Sequence, residues 1–121
     1  VQEEEVFLVN ECWLIAGCLA AFKEYRKKTI EILLQHGAEY AYHGHPFEWV
    51  SEPSGEDVPT GIEVLRFANE ASARAALAAL SAPELVAEGK SFLRRTRSYL
   101  SKYAVTPGRL RELSVERTPD P

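Results

Sequence analysis

The stretch from Val6 to Gly37, VFLVNECWLIAGCLAAFKEYRKKTIEILLQHG, changes its hydrophobic period halfway along, and that change decides the fold. Val6 to Ile15 reads as a strand, rich in β-branched and aromatic residues. From Cys18 the spacing becomes three and four. Cys18, Phe22, Tyr25, Thr29, Ile32, Leu33 and His36 share one side, while Lys23, Glu24, Lys27, Lys28 and Glu31 fall largely on the other. The spacing predicts an amphipathic helix with Gly17 as its N-cap, a supporting Glu24–Lys28 pair and Gly37 as its left-handed stop. His36 falls in the last turn, where an imidazole meets free carbonyls for purely local reasons.

Beyond Gly37 the pattern returns to strand. Tyr40, Tyr42, Phe47 and Trp49 mark a run from Glu39 to Val50, and Gly44 with Pro46 implies an edge, a bulge or a departure from the sheet near His45. The residues from Ser51 to Gly61 hold Pro53, Gly55 and Pro59 with Glu52, Glu56 and Asp57, and read as a mobile polar loop able to cover a cavity mouth. Ile62 to Phe67 is the third strand, with Glu63 alternating with Leu65 and Phe67, and Arg66 with Ile62 and Val64. Asn69 caps a helix through Ala73, Ala76, Leu77 and Leu80, whose alanines allow close approach to the sheet. A capping box from Ser81 to Glu84 starts a second piece that places Leu85, Val86, Gly89, Phe92, Leu93 and Thr96 on one face. A last strand is expected from Tyr99 to Val105.

The order is βαββαβ. It predicts an α+β domain over residues 1–106, with a four-stranded antiparallel sheet and both helices on one face. Residues 107–121, which open on Pro107 and Gly108, read as a C-terminal tail, either an arm around a partner subunit or disordered. The uncovered sheet face calls for a second copy of the chain, so a homodimer is expected.

Composition narrows the function. The 121 residues are 45% hydrophobic, consistent with one core, and carry a net charge of −4 from 14 basic and 18 acidic side chains, which disfavours nucleic acid as a partner. Arg94, Arg95 and Arg97 are expected at the end of the last helix, where cations meet its negative pole, a reading preferred over an anion site. No apolar run approaches the roughly 20 residues of a membrane span. Glu3, Glu4 and Glu5 precede the apolar start, unlike a signal peptide, so a cytoplasmic protein with no membrane partner is expected. The chain contains no Met and is read as a trimmed form of a longer one. Cys12 and Cys18 suggest neither a disulfide framework nor a metal knuckle and read as small buried hydrophobes. No nucleophile elbow or phosphate loop occurs, and no cofactor is expected.

Chemistry concentrates in Tyr40 to Trp49. In a regular strand His43 and His45 face the same way and can act as general base, proton shuttle or metal ligands; a structural role is the open alternative. Glu48 reaches them only if Pro46 bends the chain, so spacing fixes no third ligand and no metal is assigned. Trp13, Tyr40, Tyr42, Phe47 and Trp49 can stack on a planar ligand or serve as core and interface. Asn10 and Glu11 interrupt an apolar strand and need polar partners; Arg66 opposite one of them satisfies it, or holds a ligand carboxylate or enolate.

Several marks together resemble a known superfamily: Phe22 and Tyr25 in the first helix, Gly37 before the second strand, Phe67 with Asn69 and Ala73, and Ser81-x-Pro83-Glu84. Over residues 6–106 their order is similar to that of the dimeric α/β-barrel superfamily of ferredoxin-like domains. Within it the chain most resembles a small stand-alone family known only as a domain of unknown function. The resemblance implies two sheets facing across a dimer, with a cavity in each half. It also implies a range of activities, from cofactorless oxygenases, cyclases and isomerases to ligand-binding regulators. The chain departs from the pattern in lacking Asp-Pro before the first helix, in its long middle loop and in His43-Gly44-His45-Pro46. The function expected is binding of a small, aromatic or carbonyl-bearing molecule, with His43, His45 and Arg66 as catalytic groups and Asn10, Trp13, Tyr40, Tyr42 and Trp49 as ligand contacts. A non-catalytic ligand-binding or protein-interaction module is the alternative.

Overall fold

Val6 and Leu8 are buried on one side of the first strand, and Phe7, Val9, Glu11 and Trp13 on the other, so β1 (Val6–Leu14) is a central strand with buried side chains on both sides. The computed structural model describes residues 4–51 and 57–102. After β1 come α1 (Leu19–Gln35), β2 (Glu39–Gly44), β3 (Gly61–Phe67), α2 (Glu70–Leu80), α3 (Pro83–Lys90) and β4 (Leu93–Ser101). The sheet order is β2-β3-β1-β4, with every neighbouring pair antiparallel. This is the βαββαβ arrangement expected from the periods. The tail expected over residues 107–121 lies outside the described residues.

The core lies between sheet and helices. Val6, Leu8, Leu65 and Phe67 from the two central strands meet Leu33, Ala38, Ala73 and Ala76. α2 packs directly on β1 and β3, because Ala73 and Ala76 present no bulk, whereas α1 makes its closest contacts with α2 and α3. Asn69 caps α2 by accepting from the Ser72 backbone N–H at 2.8 Å. Gly37 adopts φ +84°, the left-handed conformation that ends α1. His36 Nδ1 donates to the Ile32 carbonyl at 2.8 Å, the local role expected of it.

Several local expectations are corrected. Cys18, not Gly17, is the N-cap of α1. Glu24 pairs with Lys27 instead, and Lys28 reaches across to Glu88 of α3 at 2.7 Å. The N-cap of α3 is Ala82, and the Ser81 hydroxyl turns back to the Leu77 carbonyl, so no capping box forms. β4 begins at Leu93. Arg94, Arg95 and Arg97 therefore lie on a strand: α3 ends at Lys90, after which Phe92 turns the chain into the ladder beside β1. β2 stops at Gly44, short of Val50, where Pro46 has no N–H to extend the ladder.

Leu65 is wholly enclosed and Phe47 is 87% exposed. Replacing Leu65 with Ala is expected to lower stability by about 3 kcal/mol, and Phe47 with Ala to change it by less than about 0.5 kcal/mol, both read from urea unfolding.

Candidate functional site

A cavity of about 450 Å³ opens between α1 and the strands. That volume is in the range of small-molecule sites. Phe22, Leu33, Leu80 and Leu93 give it apolar walls, and Asn10, Arg26, His43, His45 and Glu63 give it polar ones.

The polar wall is one connected cluster. Asn10 and Glu63 are direct partners across β1 and β3, and Asn10 Nδ2 donates to Glu63 Oε1 at 3.1 Å. Arg26 reaches down from α1 and donates through Nη2 to Glu63 Oε2 at 3.2 Å and to the Tyr40 hydroxyl at 2.9 Å. The Tyr40 hydroxyl donates in turn to Glu63 Oε2 at 3.3 Å. Arg26 and Glu63 side chains are only 24% and 17% exposed, so their attraction is less screened by water than that of a surface pair. Burial and the Glu63 carboxylate hold the Tyr40 hydroxyl above its usual range, with Arg26 offsetting part of the effect.

The two histidines stand beside this cluster, their rings 5.1 Å apart in an edge-to-face arrangement. A one-residue irregularity in β2 positions them. Tyr40 is opposite Leu65 and Tyr42 opposite Val64, so Ala41 is the extra residue and the alternation inverts past it. Tyr40 and His43, three apart, thus share the helix-facing side, while Tyr42 turns to the other face with Val64. His45 Nδ1 lies 3.1 Å from the Thr60 carbonyl, which can only accept, so Nδ1 is the donor of this bond and Nε2 is the ring nitrogen it leaves unused. Desolvation, then Arg26 and His45, push the His43 imidazole below its ordinary value, and Glu63 opposes them.

The expected site residues divide between the two faces. Asn10, His43 and His45 line the cavity, and Tyr40 binds two of its charged groups. Trp13, Tyr42 and Arg66 lie on the opposite face. Arg66 is across from Phe7 rather than Asn10 or Glu11, and its guanidinium bridges Glu5 and Glu39. Trp13 is buried beneath Arg95, whose guanidinium is 4.4 Å from the ring centroid, and its Nε1 donates to the Asp57 carbonyl at 3.3 Å. Glu11 is satisfied by Arg97, with oxygens at 2.9 and 3.0 Å. Trp49 follows the end of β2 and does not border the cavity. Its Nε1 is buried without a hydrogen-bond partner.

Arg26 and Glu63 are the residues that sequence reasoning undervalued. Each was marked by a charge on an otherwise apolar row: Arg26 is four after Phe22 and three before Thr29, and Glu63 alternates with Leu65 and Phe67. Among the described residues no group of three or more His, Cys, Asp and Glu forms a metal-binding cluster. No described helix is long and apolar enough to cross a membrane.

Solved structures share this fold. A protein of unknown function from Rhodopseudomonas palustris is 13% identical with a TM-score of 0.67, over 87% of this chain and 86% of that one. SnoaB, a cofactor-independent oxygenase from Streptomyces nogalater, is 16% identical with a TM-score of 0.56, over 86% and 97%. A DABB family protein with a ferredoxin-like fold from Mesorhizobium loti is 13% identical with a TM-score of 0.53, over 86% and 99%. The chain thus has a ferredoxin-like fold, its four-stranded antiparallel sheet covered by helices on one face. No family model matches the chain, and no curated protein does.

Cys12 also borders the cavity, and burial, then Glu63, push its thiol above the ordinary range. Alkylation of Cys12 by iodoacetamide at neutral pH is expected to run several-fold slower in the folded protein than in urea, as read by peptide mass mapping.

Proposed function

We propose that this is a cytoplasmic, homodimeric α/β-barrel protein that binds a small aromatic or carbonyl-bearing molecule between α1 and the sheet and removes a proton from it without a cofactor. The observation that carries this reading is the apolar cavity whose one polar wall holds two imidazoles beside a charged guanidinium, with desolvation, Arg26 and His45 lowering the hold of His43 on a proton. A neutral imidazole accepts a proton, and a guanidinium offers hydrogen bonds to the oxyanion that remains. His43 or His45 is the base. The oxyanion role considered for Arg66 passes to Arg26, since Arg66 faces away and is already held by two carboxylates.

Such a step suits an isomerase, a cyclase or an oxygenase that passes an activated carbanion to dioxygen. The description of SnoaB as a cofactor-independent oxygenase supports the last of these on fold-level analogy alone. The reading keeps residues 1–106 as the barrel domain, 107–121 as a tail, and kinship with the stand-alone family of unknown function. The alternative, a ligand-binding module without turnover, draws support from the saturation of Glu63 by Asn10, Arg26 and Tyr40, which suits a rigid receptor.

Exchange of the acidic C–H of 2-tetralone in D2O separates the two. The protein is expected to accelerate it, and His43→Gln with His45→Gln to return it to the buffer rate while native mass spectrometry still reports a dimer. Exchange that survives the double change rules out histidine as the base; a monomer rules out the barrel. The acceleration should be level above about pH 6.5, the ordinary imidazole value, and decline on the acid side as His43 takes up its proton.

The same shift bears on stability. The folded protein releases the His43 proton more readily than the unfolded chain, so this contribution is complete above the ordinary imidazole value and is lost as pH falls through the lower folded one. Thermal unfolding should accordingly show a smaller loss on mild acidification in His43→Gln than in the parent protein.

A further inference from the structure

His43 and Glu63 are direct partners across the β2–β3 ladder and face the same cavity. Directly opposed residues on one face have Cβ atoms about 5 Å apart. Glu63 cannot swing away, because Asn10 holds one oxygen and Arg26 and Tyr40 hold the other. We infer that Glu63 is a positioning residue that acts as the charge partner of His43, and that the cavity consequently takes ligands that enter neutral and give up a proton there, namely phenols and enolisable ketones. The ligand class rests on the proposed small-molecule function; the coupling of Glu63 to His43 does not.

The groups facing His43 set out the charge balance. Of the titratable groups that line the cavity with it, Lys23, Tyr25 and Arg26 come from α1, Glu63 from β3, and Cys12 and Glu11 from β1, Glu11 being paired with Arg97; Tyr40 and His45 come from its own strand and the residues after it. β4 contributes Leu93, Thr96 and Ser98, none of them charged. With the cavity empty, the Arg26 and Glu63 charges satisfy one another, and a neutral imidazole adds nothing to be compensated. When a phenol binds, its O–H bond breaks and an N–H bond forms on His43, with the electron pair left on oxygen and no change of oxidation state. The phenolate then lies beside Arg26 and the imidazolium beside Glu63, so both new charges meet an opposite one already in place. A ligand that arrives as an anion leaves His43 neutral and meets Glu63 with no compensating cation formed.

The test begins with the ligand-free protein. The imidazole C–H resonance of His43 is followed by NMR against pH, assigned by its loss in His43→Gln. Glu63→Gln is expected to lower the His43 midpoint and Arg26→Met to raise it. Should Glu63→Gln fail to fold, Glu63→Asp, which withdraws the carboxylate by one methylene, should lower the midpoint by less. A midpoint that does not move on changing residue 63 overturns the coupling. The second arm uses 4-nitrophenol, whose anion absorbs visibly. Bound to the parent protein it should be more ionised than in buffer of the same pH, and Glu63→Gln should reverse that gain. A bound phenol that stays neutral, or ionises equally in Glu63→Gln, overturns the ligand class. His43 midpoints that shift as expected, without any binding of the phenol, uphold the dyad and count against the small-molecule reading instead.

Discussion

A carboxylate on the inward face of a sheet is the constraint from which the rest of this structure follows. Glu63 occupies a position that its strand neighbours Leu65 and Phe67 use for core packing, and a charge there must be paired to be kept. The partner is Arg26, a long side chain on the helix above, joined by Asn10 and Tyr40. The Arg26 side chain spans from α1 to Tyr40 and Glu63 on the sheet, while the small Ala73 and Ala76 let α2 pack directly on β1 and β3. The polar wall of the cavity originates in this pairing.

The second determinant is the irregularity at Ala41. A regular β2 continuing from the Tyr40–Leu65 pair would set Tyr42 opposite Glu63 and turn His43 to the far side. The extra residue inverts that order and gives the cavity an imidazole in place of a phenol. β2 is an edge strand that ends at Gly44, ahead of a proline, and edges are where such irregularities concentrate. The site is therefore assembled from a regular centre, β1 and β3, and an irregular margin. The centre fixes the charges and the margin supplies the titrating groups.

This division explains what could be read in the sequence. The first strand, the amphipathic α1, the Asn69 cap and the βαββαβ order were legible because each rests on periodicity or a local hydrogen bond. The start of β4 was not. Phe92, Leu93 and Thr96 continue a helical spacing from α3, yet Thr96, Ser98 and Leu100 also alternate as a strand, and only pairing with β1 decides between them. The bulge was equally hidden: Gly44 and Pro46 announced an irregularity, but its place at Ala41 depends on the register with β3. Arg66 is the arginine the sequence offers and Arg26 is not, because strand alternation is easier to project than the depth of a helix in a layer it has not yet been packed against.

The two arginines show why depth decides chemical role. Arg66 lies on the open face between Glu5 and Glu39, side chains 53% and 65% exposed, and both carboxylates keep its guanidinium at the surface. A ligand anion there would compete with two carboxylates and with water. Among the described residues Arg26 pairs with one carboxylate, shared with a phenol and an amide, and both charged side chains are less exposed than those around Arg66. A charge that develops beside it is met by donors already oriented, so little reorganisation is needed. On the open face Glu11–Arg97 and Arg95 over Trp13 are pairings complete in themselves. The helix-facing side instead keeps an imidazole pushed below its ordinary value, whose protonated form has a carboxylate across the ladder. The asymmetry between the faces thus lies in which charges are already matched, and it points the chemistry toward α1.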